Sequence, residues 1–177
     1  MSIGDPFYFE EAMKDAKWRQ AIDSKINSIE KNKTLSLSEL PTRAKRIGVK
    51  RVYKTKYNEH GEIDKHKACL VAKCYSEKHE IDYTEVFTPI TRMDTVRIII
   101  ALVAQKGWKI FQLDVKSSFL YGELSEEVYI EQPRGYEMKG REHLVYKLHK
   151  ALYGLKQAPR ACLVELRHFY QGGFSKV

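Results

Sequence analysis

The chain has 177 residues, 43% of them hydrophobic, and 31 Lys and Arg against 23 Asp and Glu give a formal charge of +8. That is enough apolar material for one compact domain. No run reaches membrane-spanning length, because Val96 to Ala104 is interrupted by Arg97 and followed by Gln105. Three cysteines are too few for a disulfide framework and point to a reducing compartment, intracellular, cytoplasmic or nuclear. Residues 1–11 have neither the basic start nor the apolar centre of a signal peptide, so the sequon Asn32-Lys33-Thr34 reads as idle.

In chain order, Trp18, Ile22, Ile26 and Ile29 recur at helical spacing and predict one helix over 10–32, with Ala12 and Met13 extending its stripe and Asp5-Pro6 leading in. Ile47 to Cys74 reads as a hairpin turning at Asn58-Glu-His-Gly61. Val49, Arg51, Tyr53, Thr55 and Tyr57 share one face of its first strand. On the return strand Lys67, Cys69, Val71 and Lys73 point one way and Ala68, Leu70 and Ala72 the other. Asp94 is expected to N-cap a helix with Val96, Ile99, Ile100 and Val103 as its apolar face, ending at Lys106-Gly107. Trp108 to Leu113 reads as a buried strand. Val128 to Glu131 and Leu144 to Leu148 read as short strands, Pro133-Arg-Gly135 as a turn, and Pro159 to Tyr170 as a helix that Gly172-Gly173 breaks.

Charge is unevenly placed: +7 over residues 41–75, −3 over 76–135 and +5 over 136–177. A solvated basic face is the plainer reading. Two basic walls around an acidic centre also suit a polyanion channel with a metal at its floor. Asp114, at the end of the apolar run 108–113 and before Val115-Lys116-Ser117-Ser118-Phe119, is where such a metal would sit, since Mg²⁺ takes hard oxygen ligands. The plainer alternative is an Asp capping the next helix. Glu123, Glu126 and Glu127 read as solvated. His66, Cys69, Cys74 and His79 follow zinc-knuckle spacing with ligand types exchanged. Leu70-Val71-Ala72 reads as strand, however, and no glycine helps the chain wrap an ion.

The segment Phe111-Gln-Leu-Asp-Val-Lys-Ser-Ser-Phe-Leu-Tyr-Gly122, continuing through Glu123-Leu-Ser-Glu-Glu-Val-Tyr-Ile-Glu-Gln-Pro-Arg-Gly-Tyr136, resembles the first catalytic motif of reverse transcriptases of copia-type retrotransposons. Lys150-Ala-Leu-Tyr-Gly-Leu-Lys-Gln-Ala-Pro-Arg160 is similar to the family's second block. Arg51-Val-Tyr-Lys-Thr-Lys, Lys67-Ala-Cys-Leu-Val-Ala-Lys and Ile81-Asp-Tyr-Thr-Glu-Val-Phe-Thr-Pro match its fingers region in order. The resemblance covers about residues 10 to 175. It implies an α+β fold, the fingers and partial palm of a right-hand polymerase: 1–40 an N-terminal helical extension, 41–90 fingers, 91–121 palm, 122–158 fingers, and 159–177 the start of a palm helix.

The function implied is RNA-directed DNA polymerisation with two Mg²⁺ ions, a primer–template of RNA and DNA, and deoxynucleotide triphosphates as partners, with no membrane. By resemblance Asp114 is the catalytic carboxylate and, with the Val115 carbonyl, a metal ligand. Lys67, Lys73, Lys116, Ser117, Ser118, Phe119, Tyr153 and Gly154 would meet the nucleotide, Phe119 beneath its sugar and Gly154 close to the base pair. Lys50, Arg51, Lys54 and Lys56 on the hairpin, with Leu155, Lys156 and Pro159, would meet nucleic acid.

Two departures stand out. The family's Tyr-x-Asp-Asp carboxylates have no counterpart, since these residues contain no adjacent Asp pair. The chain alone is therefore expected to be inactive, or to need a complementing palm and thumb segment. Cys69, Cys74 and Cys162 stand where the family usually has Arg, Gly and Trp, which looks like drift. The alternative function is a co-opted, non-catalytic nucleic-acid-binding module.

Overall fold

A computed structural model describes residues 4–73, 92–111, 120 and 122–164. The fold is mixed α+β. The first helix is broken into α1 (Phe9–Ala12) and α2 (Ala16–Lys31). Asp15 causes the break: its side chain accepts the Lys17 N–H at 2.9 Å, capping α2 in extended backbone rather than continuing α1. Trp18, Ile22 and Ile29 are buried as their spacing predicts, and Trp18 stands edge-on to Tyr53 (5.4 Å) and His66 (4.6 Å).

The next element corrects the expectation that residues 1–40 are a helical extension. β1 (Leu35–Ser38) pairs antiparallel with β6 (Val145–Lys150), Leu35 opposite Leu148. The sheet runs β1-β6-β5-β2, with β5 (Glu123–Ile130) antiparallel to β6 and β2 (Arg46–Ile47) parallel to β5. β5 begins at Glu123 rather than Val128, with irregular register between those two residues. The expected turn at 133–135 is present, closed by the Tyr136 N–H to Pro133 C=O bond at 2.9 Å.

After β2 the chain leaves that sheet at Gly48. β3 (Val49–Tyr57) and β4 (Ile63–Ala72) form the predicted hairpin. Asn58 closes the turn by accepting the His60 and Glu62 amides at 3.0 and 2.9 Å, and Gly61 supplies the φ of +78°. Lys73 N–H to Gly48 C=O (2.8 Å) and Glu131 N–H to Ile47 C=O (3.0 Å) tie hairpin and sheet together. Ile47, Leu70, Ile130, Leu148 and Leu152 pack into the main core, with Ile29 of α2.

α3 (Met93–Lys106) is where the structure departs most from expectation. Its N-cap is Arg92; Asp94 lies inside the first turn, 3.8 Å from Arg97. Gly107, at φ +65°, ends it as expected, with Trp108 N–H bonded to Val103 C=O at 3.0 Å. No residue of α3 is buried, and Ile99 and Ile100 of the expected apolar face are 54% and 50% exposed. The buried strand predicted over 108–113 is absent over its described part. Residues 108–111 are not in a strand, and Trp108, Ile110 and Phe111 are exposed. A strand exists only where a neighbour takes its backbone hydrogen bonds, and no described strand does so here. Residues 158–164 are helical, in agreement with the start of the helix expected from Pro159. No helix among the described residues is long and apolar enough to cross a membrane.

Candidate nucleic-acid interface

The hairpin separates its two faces as the alternation predicts. Ala68, Leu70 and Ala72 are buried with Tyr53 beneath α2 and the core, while Lys50, Lys54 and Lys67 are exposed on the opposite face. The register adds what alternation alone does not show. Lys54 lies directly opposite Lys67, and Lys56 directly opposite Lys65. Like charges at opposed positions destabilise a hairpin. Asp64 reaches Lys65 at 3.4 Å, an exposed pair of little worth. Two opposed lysine pairs on one sheet face concentrate positive charge, a repulsion that a polyanion would offset. Lys65 was missed from sequence; its parity with Lys67, once the turn length is known, places it there.

Arg51 is not part of this face. It lies opposite Leu70, on the inner side, with its guanidinium 4.8 Å from the Phe9 ring and 5.3 Å from that of Tyr136. Its Nη1 donates to the Arg134 carbonyl at 2.7 Å. Burial draws its pKa below the usual arginine value, against the opposing pull of Tyr53, Tyr136 and Glu137. Arg51 therefore packs the base of the hairpin, on the face opposite the lysine pairs.

The block 150–160 is docked on the far edge of β4. Tyr153 C=O accepts the Ala72 N–H at 2.7 Å, and Tyr153 bridges Val71. Lys25 of α2 sits 5.8 Å over the Tyr153 ring, its pKa lowered by burial against a smaller upward pull from Cys69. Gly154 has φ +92°, and a Cβ there would lie 2.7 Å from Val71 Cγ1 and nearer still to Ala72 O. The close approach that demands glycine is thus to β4, a different cause from the base pair expected by resemblance. Leu155, expected to touch template, is 3% exposed and belongs to the core; Lys156 and Pro159 are half-buried.

Asp114, Val115, Lys116, Ser117, Ser118 and Phe119 lie outside the described residues, as do Cys74 and His79. The stretch after them is firmly held. Leu120 is fully buried, Gly122 C=O accepts the Ala151 N–H at 2.7 Å, and a Cβ on Gly122 would come within 2.7 Å of the Ala161 backbone. The segment following Phe119 is therefore anchored between Ala151 and the helical residues 158–164. Gln157, unremarked in the sequence, is 2% exposed beside Leu155 and Ala158, and among the described residues neither its Oε1 nor its Nε2 has a partner. A buried amide left so costs about 1–3 kcal/mol per unmet group.

Of the acidic candidates, Glu127 is engaged by Lys147, which holds its pKa below the usual carboxylate range, and Glu126 lies 3.9 Å from Arg160. No three His, Cys, Asp or Glu among the described residues cluster closely enough to hold a metal. His66 and Cys69 point to opposite faces of β4, which removes half of the zinc-knuckle set.

The model of the family described as reverse transcriptase (RNA-dependent DNA polymerase) matches residues 32–174. The chain is 42% identical over 160 residues to the retrovirus-related Pol polyprotein from transposon RE1 of Arabidopsis thaliana, covering 90% of this chain and 11% of that protein. It is 41% identical over 150 residues to the corresponding polyprotein from transposon TNT 1-94 of Nicotiana tabacum, covering 85% and 11%. Against the transposon Ty1-ER2 Gag-Pol polyprotein of Saccharomyces cerevisiae it is 29% identical over 157 residues, covering 85% and 8%. The chain thus spans about a tenth of the length of these relatives. No solved structure matches it.

Proposed function

The chain belongs to the reverse transcriptase (RNA-dependent DNA polymerase) family, as a domain similar to part of retrotransposon Pol polyproteins, and from that premise we propose that it forms the fingers and first part of the palm of an RNA-directed DNA polymerase. The observation that carries the reading is the bond between Ala72 N–H and Tyr153 C=O. It joins the strand of Lys67 and Lys73 to the block of Tyr153 and Lys156, two distant stretches that a nucleotide site needs side by side. The segment after Phe119 is pinned to that same block through Gly122 and Ala151. In this reading the lysine face holds the primer–template by its phosphates. The nucleotide lies toward Lys67, Lys73, Lys116–Ser118 and Tyr153.

Two Mg²⁺ ions would supply nucleophile activation and charge neutralisation at Asp114 and the Val115 carbonyl. No three His, Cys, Asp or Glu among the described residues cluster as an alternative seat, and Glu127 is engaged by Lys147. Asp114 without an adjacent Asp pair gives an ion one strong ligand, and Mg²⁺ dehydrates reluctantly. The 177-residue chain therefore does not extend a primer. Adding a palm and thumb segment from a related element restores extension, and Asp114→Asn then abolishes it while nucleic-acid binding persists. Primer extension by the chain alone, lost in Asp114→Asn, would overturn this and bring Glu123 or Glu127 to the metal. The second reading, a non-catalytic nucleic-acid-binding module, is favoured by the opposed lysine pairs, which need no ion. Salt-sensitive binding with no gain from any complementing segment selects it.

A further inference from the structure

The free edge of β3 carries a feature that neither polymerisation nor phosphate binding uses. Val49 N–H donates to Glu131 Oε1 at 2.7 Å, and Thr55 N–H donates to Asp5 Oδ1 at 3.0 Å. Both carboxylates come from outside the hairpin, so these amides point away from β4. Backbone groups alternate sides along an antiparallel strand. The N–H and C=O groups of Arg51 and Tyr53, midway between the two, therefore face the same open edge. No backbone group among the described residues pairs with them there. Beside this edge lies a cavity of about 630 Å³, bordered by residues 7–10 on one side and by Glu131, Gln132 and Arg134 on the other. Phe7 and Tyr8 stand at its rim, 87% and 72% exposed. Exposed edges are ordinarily blunted by charges along their length. Here carboxylates close the two ends and leave the middle open.

We propose that this edge takes an extended peptide as an added β-strand, with an acidic side chain near its centre. The free backbone groups of Arg51 and Tyr53 recur at strand spacing, which a peptide backbone complements and a helix or a nucleotide does not. The acidic preference follows from charge. Lys50, Arg51, Lys73 and Arg134 line the cavity against three carboxylates, Glu10, Glu131 and Glu137, an excess of one positive charge. Glu131 holds the Val49 amide, Glu10 the Arg134 guanidinium at 2.6 Å, and Glu137 the Gly135 amide at 2.7 Å. Edge pairing with a second copy is disfavoured, because Asp5 and Glu131 would meet the same carboxylates across the dyad. This site does not depend on the polymerase reading; the lysine pairs lie on the other face of the hairpin.

The test uses the whole chain and the peptide acetyl-Thr-Val-Glu-Val-Thr-amide in two N-methylated forms, one at the valines and one at the threonines and glutamate. Only alternate amides of an added strand face the edge. One methylation pattern should therefore weaken binding about tenfold or more, at about 1 kcal/mol for each lost bond, and the other should not. Amide exchange at Arg51 and Tyr53 slows when the parent peptide binds, and replacing its Glu by Gln weakens binding. Failure of the parent peptide to bind at millimolar concentration overturns the proposal. So does equal loss from both methylation patterns, or protection confined to the lysine face.

Discussion

Replacing Gly154 with Ala asks whether the fold or a ligand requires a glycine there. At φ +92° an L-residue is strained by about 1–3 kcal/mol. The new Cβ would also lie 2.7 Å from Val71 Cγ1 and 3.1 Å from Ala72 N. Either the end of β4 or the 153–155 turn must shift, stretching the 2.7 Å bond between Ala72 N–H and Tyr153 C=O. Overpacking of this kind costs about 1–3 kcal/mol and the bond about 1 kcal/mol. The loss is then at least about 3 kcal/mol, and for a chain of this size Tm falls by about 6 °C or more. Gly61→Ala is the internal reference, with φ +78° and nothing within 4 Å of its Cβ. It bears the backbone strain alone, about 1–3 kcal/mol. Thermal unfolding by circular dichroism on both variants beside the parent reads the difference directly. If Gly154→Ala melts within about 2 °C of Gly61→Ala, contact with β4 is not what demands the glycine, and the close approach must be to a nucleotide.

Binding to nucleic acid of mixed sequence should weaken with salt at a slope of log K against log[salt] of about −2 to −5, and Lys67→Glu should make that slope shallower by about 1–2. The same variant should be more stable than the parent by a few tenths to about 1 kcal/mol, because it turns the Lys54–Lys67 opposition into an attraction; a denaturant melt showing a loss would contradict the assigned register. Ile98, Ile99, Ile100 and Leu102 are 46–68% exposed, so the chain should bind a hydrophobic dye, and Ile99→Lys with Leu102→Lys should reduce the fluorescence without lowering Tm. Undiminished fluorescence in that pair would place the exposed apolar surface elsewhere. Burial, and then the hydrogen bond to Asp23, push the Tyr136 pKa from 10.0 up to about 12. The folded chain keeps that proton when the unfolded chain loses it, so this stabilisation is full below pH 10 and is lost as pH rises toward 12. Tyr136→Phe should flatten stability across that window and remove the last tyrosinate step in the ultraviolet titration; an unchanged titration refutes the assignment.

The hairpin, its Asn58–Gly61 turn and its two faces were legible because strand alternation and turn chemistry are local properties of a dozen or so residues. The blocks around Asp114 and Tyr153 were legible as a family resemblance, through motifs carried in order along the chain. Other features depended on partners remote in sequence. Leu35–Ser38 becomes a strand because β6 lies beside it, more than a hundred residues on, where Ser36 Oγ meets His149 Nε2 at 2.7 Å. Apolar periodicity gave α3 a face and 108–113 a strand pattern, but periodicity does not say whether anything is there to bury them. Arg51 reads as one more cation in a basic run, and only the rings of Phe9 and Tyr136, brought from both ends of the chain, turn it into a packed residue. Gly154 was expected from sequence to be glycine for closeness; which backbone it approaches is a fact of tertiary packing, since a missing Cβ records crowding and not the identity of the neighbour.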